Sequence, residues 1–141
     1  MGSEHARGQS LSLLLRRSAR RHRSKTALIC GSEQLSYSDL DRLADSLANG
    51  LLREGMKPGD RVAILARNSH AFVTIRFAVA RAGAVLVPIN FMLGEEEARY
   101  ILDHSGAFML FVDASTSTIG RAAASPNPLI FGLPGGAHRR S

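Results

Sequence analysis

Glu95, Glu96 and Glu97 form the densest group of side chains that could carry chemistry. Carboxylates bind divalent cations, so an acidic triplet is a candidate metal site. Successive residues of a helix point about 100° apart, however, and only one or two of the three could face a single ion. The triplet also opens a predicted helix, where the helix dipole favours negative charge. We therefore interpret the glutamates as part of a helix start and predict no metal ligands.

The histidines, the serines and the single cysteine form no recognisable catalytic set. None of the histidines is four residues from another, so no pair shares a helix face for metal binding; they are His5, His22, His70, His104 and His138. His104 is expected at a helix C-terminus, which favours an imidazolium, and His70 in the first turn of another helix. Ser69 lacks the G-x-S-x-G pattern of a strained nucleophile turn. Cys30 lies in the apolar run TALIC and is predicted to be a buried strand residue without chemistry.

No glycine-rich phosphate loop is present in the sequence. The chain has neither G-x-G-x-x-G after a strand nor G-x-x-x-x-G-K-[ST]. The glycine cluster GLPGG at 132–136 opens no credible helix and is not interpreted as a phosphate cradle. We therefore predict no catalytic, cofactor-binding or metal-binding residues in this chain.

Charge is distributed unevenly along the 141 residues, which fit one ordinary domain. Residues 1–25 carry seven basic groups and one acid, residues 26–113 carry eight and eleven, and residues 114–141 carry three and none. A basic N-terminus can contact nucleic acid or an anionic membrane surface. Because no aromatic residues alternate with the arginines to stack on bases, we expect no specific nucleic-acid partner.

The N-terminal segment also bears on location. No run of 18 apolar residues exists, so no transmembrane segment is predicted. The stretch LSLLLRRSARRHRSK has the composition of a mitochondrial presequence. We interpret it instead as an exposed amphipathic helix with Leu11, Leu14, Leu15 and Ala19 on one face. The expected location is the cytoplasm, with the mitochondrion as the alternative.

The first part of the chain predicts a helix, a β-hairpin and a long amphipathic helix. The first helix is expected over 10–22, and TALIC and LSY flank a Gly-Ser turn. Ser38 and Asp41 resemble a capping box at the start of the long helix, and Gly55 fits the position after its end. Apolar residues three and four apart predict the buried face of this helix; they are Leu40, Leu43, Ala44, Leu47, Ala48, Leu51 and Leu52.

Residues 61–112 predict a βαβαβ unit, the core of a partial doubly wound α/β sheet. The strands are RVAIL, AVLV and AFMLFVD, and the first connecting helix is apolar nearly all round, which indicates burial on more than one side. AVLV is expected to be a central strand covered on both faces, ended by Pro88, with Asn90 beginning the connection at the carboxyl edge. Residues 1–10 and the Ala-, Ser-, Pro- and Gly-rich segment 114–141 are predicted to be disordered.

The order and wording of these elements resemble the N-terminal part of adenylate-forming enzymes, specifically acyl-CoA synthetases and related AMP-dependent ligases. The matching stretches include LSYSDLDRLADSLANGLLREGMKPGDRVAILARNS and AVARAGAVLVPINFMLGEEEARYILDHSGAFMLFVD. The resemblance covers about residues 11–113, which we take as the N-terminal part of an adenylating domain. No single motif is diagnostic, but the ordered set is specific.

The resemblance implies a reaction whose machinery this sequence lacks. Family members use ATP and Mg²⁺ to convert a carboxylic or fatty acid into an acyl-adenylate, then usually transfer the acyl group to coenzyme A. Their Ser/Thr/Gly-rich loop ending in Pro-Lys-Gly and their aromatic-Gly-x-Thr-Glu stretch do not occur here. We therefore expect a chain that is inactive alone and binds none of these cofactors. The alternative is a noncatalytic subunit that docks on the remainder of the enzyme or on a homologous chain.

Overall fold

The structure is a computed structural model that describes residues 2–30, 33–67, 69–124 and 129–132. It divides into two compact units. Unit 1 comprises residues 1–59 and 69–85, and unit 2 comprises residues 60–68 and 86–141. The elements follow the predicted order through the third strand of the βαβαβ unit.

Unit 1 contains three helices and a hairpin: α1 (Gly2–Arg21), β1 (Thr26–Cys30), β2 (Glu33–Ser36), α2 (Tyr37–Arg53) and α3 (His70–Arg81). The hairpin strands pair antiparallel, as predicted. A small apolar cluster of Leu15, Leu40 and Ala44 joins α1 to α2, and Val73 and Phe77 of α3 pack against it.

Helix α1 buries a different set of residues from the predicted face. Leu15 and Ala19 are buried, but Leu14 is 58% exposed and Leu13 is 55% exposed. The side chain of Leu11 lies outside the described part of the structure. Leu14 points about 100° away from Leu15 along a regular helix, which places it outside the contact with α2 and α3.

Helix α2 begins two residues earlier than predicted. Ser36 is the N-cap, and its hydroxyl accepts a hydrogen bond from the Asp39 amide at 3.1 Å. The predicted box of Ser38 and Asp41 is therefore wrong. Gly55 has a φ of 98°, as the helix end requires. The buried residues are Leu40, Ala44, Ala48 and Leu51, whereas Leu43 and Leu52 of the predicted face are exposed.

Helix α3 confirms the prediction of burial on more than one side. Ser69 is its N-cap, and its hydroxyl accepts from the Phe72 amide at 3.2 Å. The buried positions are Thr74, Ile75, Ala78, Val79 and Ala80. Arg76 is the only exposed residue of the helix, and Gly83 follows the helix with a φ of 82°.

Unit 2 is built on a four-stranded sheet with the order β4-β3-β5-β6. Its elements are β3 (Arg61–Leu65), β4 (Val85–Ile89), α4 (Glu95–Ser105), β5 (Met109–Val112), α5 (Ser117–Ala124) and β6 (Leu129–Gly132). The boundary between the units falls within β4, so that unit 2 contains this strand from Leu86 onward. Strand β5 pairs parallel with β3 and with β6, which confirms a parallel α/β sheet. Every residue of β5 is buried, and four of the five in β3 are.

Strand β4 is an edge strand in the described sheet, so the prediction of a central position for AVLV is wrong. Val85, Leu86 and Val87 are only half-buried, and Pro88 is exposed. A proline has no N–H to donate, and sheets tolerate it mainly on edge strands. The strand also continues to Ile89, one residue beyond the proline that was expected to end it.

Two elements lie in the segment after Asp113, for which the sequence predicted no regular structure. These are α5 and β6, while residues 125–128 and 133–141 are outside the described part. Small residues explain the docking of α5: a Cβ built on Gly120 would lie 2.5 Å from Val112 Cγ1, and Ala123 and Ala124 are buried. The Arg99 guanidinium also donates to the Ala122 carbonyl at 2.9 Å, which anchors α5 to α4.

Candidate functional site

The carboxyl edge of the unit 2 sheet is the natural place for a ligand in an α/β fold. Asp113 is the first residue after β5, Arg67 follows β3 by two residues, and Asn90 directly follows β4. Asn90 makes a local turn in which its side-chain oxygen accepts from the Met92 amide at 2.9 Å. The sequence predicted Asn90 at this edge, and the loop that it begins meets the loop after β3, since the neighbouring Phe91 ring lies under the Arg67 guanidinium.

The carboxylate of Asp113 is the centre of this edge. Its Oδ2 accepts from the Arg67 amide at 2.8 Å. Its Oδ1 accepts from the amides of Ser115 and Thr116 at 2.9 and 3.0 Å, and from the Ser115 hydroxyl at 2.7 Å. Burial raises the pKa of Asp113, but the hydrogen bonds from Arg67, Ser115 and Thr116 outweigh it, and the net pKa is lowered. The group is therefore held as an anion.

Thr116 links the two central strands at this edge. Its side chain is buried, and its hydroxyl donates to the Leu65 carbonyl at the end of β3 at 2.5 Å. The same oxygen accepts from the Asp113 amide at 3.0 Å. The Thr116 carbonyl in turn accepts the Gly120 amide at 2.8 Å in the first turn of α5. The loop thus satisfies its own polar groups and starts the helix that follows.

Arg67 is an exposed cationic group in this loop cluster. Its guanidinium carbon lies 4.7 Å from the centroid of the Phe91 ring, and its Nε lies 3.4 Å from the Ser115 hydroxyl. A guanidinium on an aromatic face can attract an anion or a carbonyl oxygen. Asp113 already uses the converging amides, however, so Arg67 is left as a single, solvent-facing charge rather than part of a phosphate cradle.

The glutamates take up the helix-start role expected of them. Glu97 Oε1 accepts from the Gly94 amide at 2.9 Å, which is one arm of a capping box. Glu95 Oε2 pairs with Arg99 at 2.6 Å, one turn further along α4. Within the part of the chain that the structure describes, no group of three or more His, Cys, Asp or Glu side chains could hold a metal ion.

The remaining candidates from the sequence are separated in the structure. Ser69 and His70 begin α3, and the His70 carbonyl accepts from the Thr74 hydroxyl at 2.8 Å. His104 is in the last turn of α4 and stacks on Tyr100 with a centroid separation of 5.1 Å. Cys30 ends β1, and its side chain lies outside the described residues, so its burial stays a prediction.

The GLPGG cluster is described only at its first residue. Gly132 is the last residue of β6, and positions 133–136 fall outside the described ranges. A Cβ at Gly132 would meet no heavy atom within 4 Å, so close packing does not require a glycine there. The structure therefore gives no support for a phosphate cradle at this residue.

Sequence reasoning missed a partly buried charge cluster in unit 1. Arg81 ends α3 with its side chain 11% exposed, and its two Nη atoms lie 2.8 Å from Asp41 Oδ1 and 3.0 Å from Asp45 Oδ1. The contact between Arg81 and Asp41 is an ion pair whose angles do not meet those of a hydrogen bond. Arg81 Nε also donates to the Ser12 hydroxyl at 2.8 Å, and Arg16 approaches Asp45 at 2.7 Å. Since every group has a partner within unit 1, this cluster holds three helices together rather than forming a site.

A shallow depression of about 420 Å³ lies along α4. It is lined by Leu93, Glu96, Glu97, Tyr100 and Ile101. Tyr100 is 65% exposed there, and Met92 nearby in the sequence is 77% exposed. The lining is apolar with carboxylates beside it, which suits contact with another protein surface better than the capture of an anion.

Similar solved structures define the class of protein. The fold superposes with a TM-score of 0.82 and 29% identity on a putative long-chain-fatty-acid CoA ligase from Rhodopseudomonas palustris, covering 87% of this chain and 32% of that one. A Mycobacterium tuberculosis fatty acyl CoA synthetase gives a TM-score of 0.81 and 30% identity, over 91% of this chain and 27% of that one. The described fold is that of the N-terminal domain of adenylate-forming enzymes.

The family follows from the sequence match. A family model described as AMP-binding enzyme matches residues 15–130, and the chain belongs to this family. It is 44% identical to a feruloyl-CoA synthase from Amycolatopsis sp over 104 residues, 74% of this chain and 21% of that protein. It is 36% identical to the fatty acid–[acyl-carrier-protein] ligase ScoC from Streptomyces coeruleorubidus over 108 residues, 76% of this chain and 21% of that protein.

The match also bears on the segment after Asp113. The chain spans about a fifth of the length of these curated relatives, 21% in each case. The family match extends to residue 130, beyond the residue 113 at which the sequence resemblance was expected to end. Helix α5 and the start of β6 therefore lie within the family fold.

Proposed function

We propose that this chain supplies the N-terminal α/β framework of a carboxylate-activating, adenylate-forming ligase and forms no acyl-adenylate by itself. The observation that carries the proposal is the loop at Asp113. At the sheet edge where a ligand would bind, three converging backbone amides donate to a carboxylate of the chain itself. Adenylyl transfer needs such donors, together with cations, aimed at phosphate oxygens.

The sequence supports the same conclusion from a second direction. The resemblance implies a Ser/Thr/Gly-rich loop ending in Pro-Lys-Gly and an aromatic-Gly-x-Thr-Glu stretch, and neither occurs in the 141 residues. Relatives named for feruloyl-CoA and for fatty-acid ligation match equally short parts of their own chains. The acid would accordingly be chosen by residues outside this match, so we assign the substrate class only as a carboxylic acid.

ATP–pyrophosphate exchange tests the inactivity of the chain. With Mg²⁺, ATP and either a long-chain fatty acid or a hydroxycinnamic acid, we expect exchange at the level of a protein-free blank. A full-length ligase of the same family, assayed in parallel, is the positive control, because its exchange shows that the assay detects activation of each acid. Exchange that depends on both this chain and the acid would falsify the proposal.

A noncatalytic docking role is the second candidate, and exposed apolar side chains favour it. Met92 and Tyr100 in unit 2 are 77% and 65% exposed, and Ile29 in unit 1 is 64% exposed. Exposed apolar side chains mark protein contacts where they form a patch, and Tyr100 lines an apolar depression together with Leu93 and Ile101. In this reading the chain binds the remainder of an adenylating domain or a homologous subunit.

Complementation separates the two candidates. A family ligase that lacks the segment equivalent to residues 15–130 is purified with and without this chain. Restored pyrophosphate exchange and a 1:1 complex support docking, and binding of a hydrophobic dye to the isolated chain should fall on association. A monomer that neither binds the truncated ligase nor restores its exchange contradicts docking and leaves the inactivity proposal standing.

Location is part of the proposal as well. No helix among the described residues is both long and apolar enough to span a bilayer. We propose the cytoplasm, with mitochondrial import of the Arg-rich N-terminus as the alternative. A fluorescent reporter fused to the C-terminal side of residues 1–25 distinguishes the two locations. Only mitochondrial import would place the reporter inside mitochondria and remove the N-terminal segment.

A further inference from the structure

The outer face of helix α1 combines exposed leucines with exposed arginines. Leu13 and Leu14 are 55% and 58% exposed. Arg17, Arg20 and Arg21 are exposed as well. At 100° per residue these five positions fall within an arc of about 120°. The buried residues Ser12, Leu15 and Ala19 occupy the opposite side. This outer α1 face therefore interleaves two exposed leucines with three exposed arginines.

The charges of this face have no acidic partner within the described part of the chain. Arg16, on the flank of the helix, pairs with Asp41 and Asp45 of α2, but none of the ion pairs involves Arg17, Arg20 or Arg21. Glu4 is the only acid among residues 1–25, which carry seven basic groups. Three guanidinium groups without an ion pair among the described residues, beside two exposed leucines, suit an anionic surface that also accepts apolar side chains.

We propose that the outer α1 face binds an anionic lipid bilayer. At the surface of an anionic bilayer, exposed leucines can reach the acyl boundary while neighbouring arginines stay at the headgroups. Arginine stems add apolar contact while their charged ends stay at the headgroup level. Nucleic acid offers anionic groups but no apolar phase for Leu13 and Leu14, so the leucines favour the membrane.

Vesicle co-sedimentation of the full chain tests this surface. At low salt the chain should co-sediment with phosphatidylcholine vesicles that contain roughly 40% phosphatidylglycerol, an anionic lipid. It should not co-sediment with vesicles of pure phosphatidylcholine. Each basic side chain near an anionic surface contributes about a factor of five to partitioning. The triple variant R17Q/R20Q/R21Q should therefore partition roughly 100-fold more weakly. The double variant L13S/L14S should lose roughly 10-fold through the apolar contribution.

Matched variants on other exposed surfaces control for net charge and for hydrophobicity. R42Q/R53Q/R76Q removes the same charge from α2 and α3, and L43S/L52S removes two leucines that are 45% and 47% exposed. Both controls should bind the vesicles within about 2-fold of the wild type, since placement rather than composition carries the effect. Circular dichroism of every variant checks that the helices are retained.

Three results would overturn the proposal. One is equal binding by the α1 variants and their controls. Another is a chain that binds duplex DNA as tightly as vesicles and whose vesicle binding is unchanged in L13S/L14S. This combination would indicate a general contact with polyanions. The third is a chain that binds no vesicles and instead forms a dimer, with L13S/L14S dissociating that dimer. This result would assign the face to contact with a second copy of the chain.

Discussion

The two units are stabilised in different ways. In unit 1 the three helices meet around a cluster in which the Arg81 guanidinium is shared by two aspartates. In unit 2 the sheet is packed by an apolar core that includes Leu65, Leu110 and Val112, and a hydrogen-bonded loop closes one edge of it. Unit 1 should therefore respond most to the loss of charge partners, and unit 2 to changes of volume.

Loss of the Arg81 guanidinium should have the largest effect on unit 1. R81A removes the nearest cation of Asp41, whereas Asp45 keeps Arg16 at 2.7 Å, and breaking a buried pair costs about 3–5 kcal/mol. Asp45 is 46% exposed, which places the expected loss of unfolding free energy at the lower end, roughly 3 kcal/mol. Urea denaturation measures this loss.

Arg76 is the matched control because it lies on the same helix and is exposed. Its guanidinium is 5.7 Å from the Phe72 ring, a contact worth about 0.5–1 kcal/mol at an exposed site. R76A should therefore cost roughly 0.5–1 kcal/mol. If R81A and R76A destabilise equally, the charge cluster does not hold unit 1 together. R81M combined with D41N and D45N should recover most of the loss, because the only charge left without its partners is Arg16, whose side chain is 36% exposed to water.

A methyl group at Gly120 tests the volume sensitivity of unit 2. The added Cβ would lie 2.5 Å from Val112 Cγ1 and 3.5 Å from Leu110 Cδ2, so α5 must move away from β5. Overpacking of this kind costs about 1–3 kcal/mol, and we expect G120A to lose about 2 kcal/mol. Thermal denaturation measures this loss.

Gly50 of α2 provides the opposite case in unit 1. A Cβ there would lie 3.8 Å from Arg53 Nη2, an ordinary contact. Alanine is preferred over glycine within a helix by about 1 kcal/mol, so G50A should raise stability by up to that amount. Equal effects of the same sign for G120A and G50A would contradict close packing of α5 on the sheet.

Continuous apolarity explains why two central strands of the unit 2 sheet could be predicted. Strands β3 and β5 are continuous apolar runs, and the residues of RVAIL and MLFV are buried nearly throughout. Helix α5 escaped prediction because its contact with the sheet depends on small residues, and an Ala- and Gly-rich stretch also fits disorder. The edge position of β4 depends on strand order, which the apolarity of AVLV does not specify.

Polar contacts between distant residues could not be predicted at all. Arg81 and Asp41 are separated by 40 positions, and each alone reads as an ordinary helix-surface charge. The loop at Asp113 did carry a local signal, since Asp-x-Ser-Thr after a strand is typical of side-chain-to-backbone turns. That signal identifies the turn but not its hydrogen bond to Leu65 across the sheet.

The Asp113 carboxylate predicts a pH dependence specific to unit 2. Its pKa is lowered below the ordinary value of 3.8, so its contribution to stability is fully present above that value. The contribution is lost as the pH falls through the lowered pKa of the folded state. D113N weakens the charge-assisted bonds and should cost about 1 kcal/mol at pH 7. The difference from wild type should shrink as the pH falls below about 4.

Asp103, exposed on α4, is the control for this prediction. D103N should change stability by less than about 0.5 kcal/mol at pH 7, as surface substitutions generally do. A D113N deficit that is the same at pH 7 and pH 3 would show that shape, rather than charge, matters at this loop.

The start of helix α2 provides the smallest test, and it bears on unit 1 directly. Ser36 accepts the Asp39 amide at 3.1 Å, whereas Ser38 only receives a 3.4 Å contact from the exposed Arg42. S36A should therefore cost about 1 kcal/mol, and S38A less than about half of that. The sequence favoured Ser38 because Asp41 lies three residues later, where a capping box places its acid.

In the structure the Asp41 carboxylate faces Arg81 and Arg16 instead, so the charge cluster removes it from the helix start. Combining S36A with R81A tests that link. Once Arg81 is gone, Asp41 is free to turn toward the amides at the beginning of α2, and S36A should then cost less than in the wild type. Strict additivity of the two losses would show that the cluster and the helix start are independent.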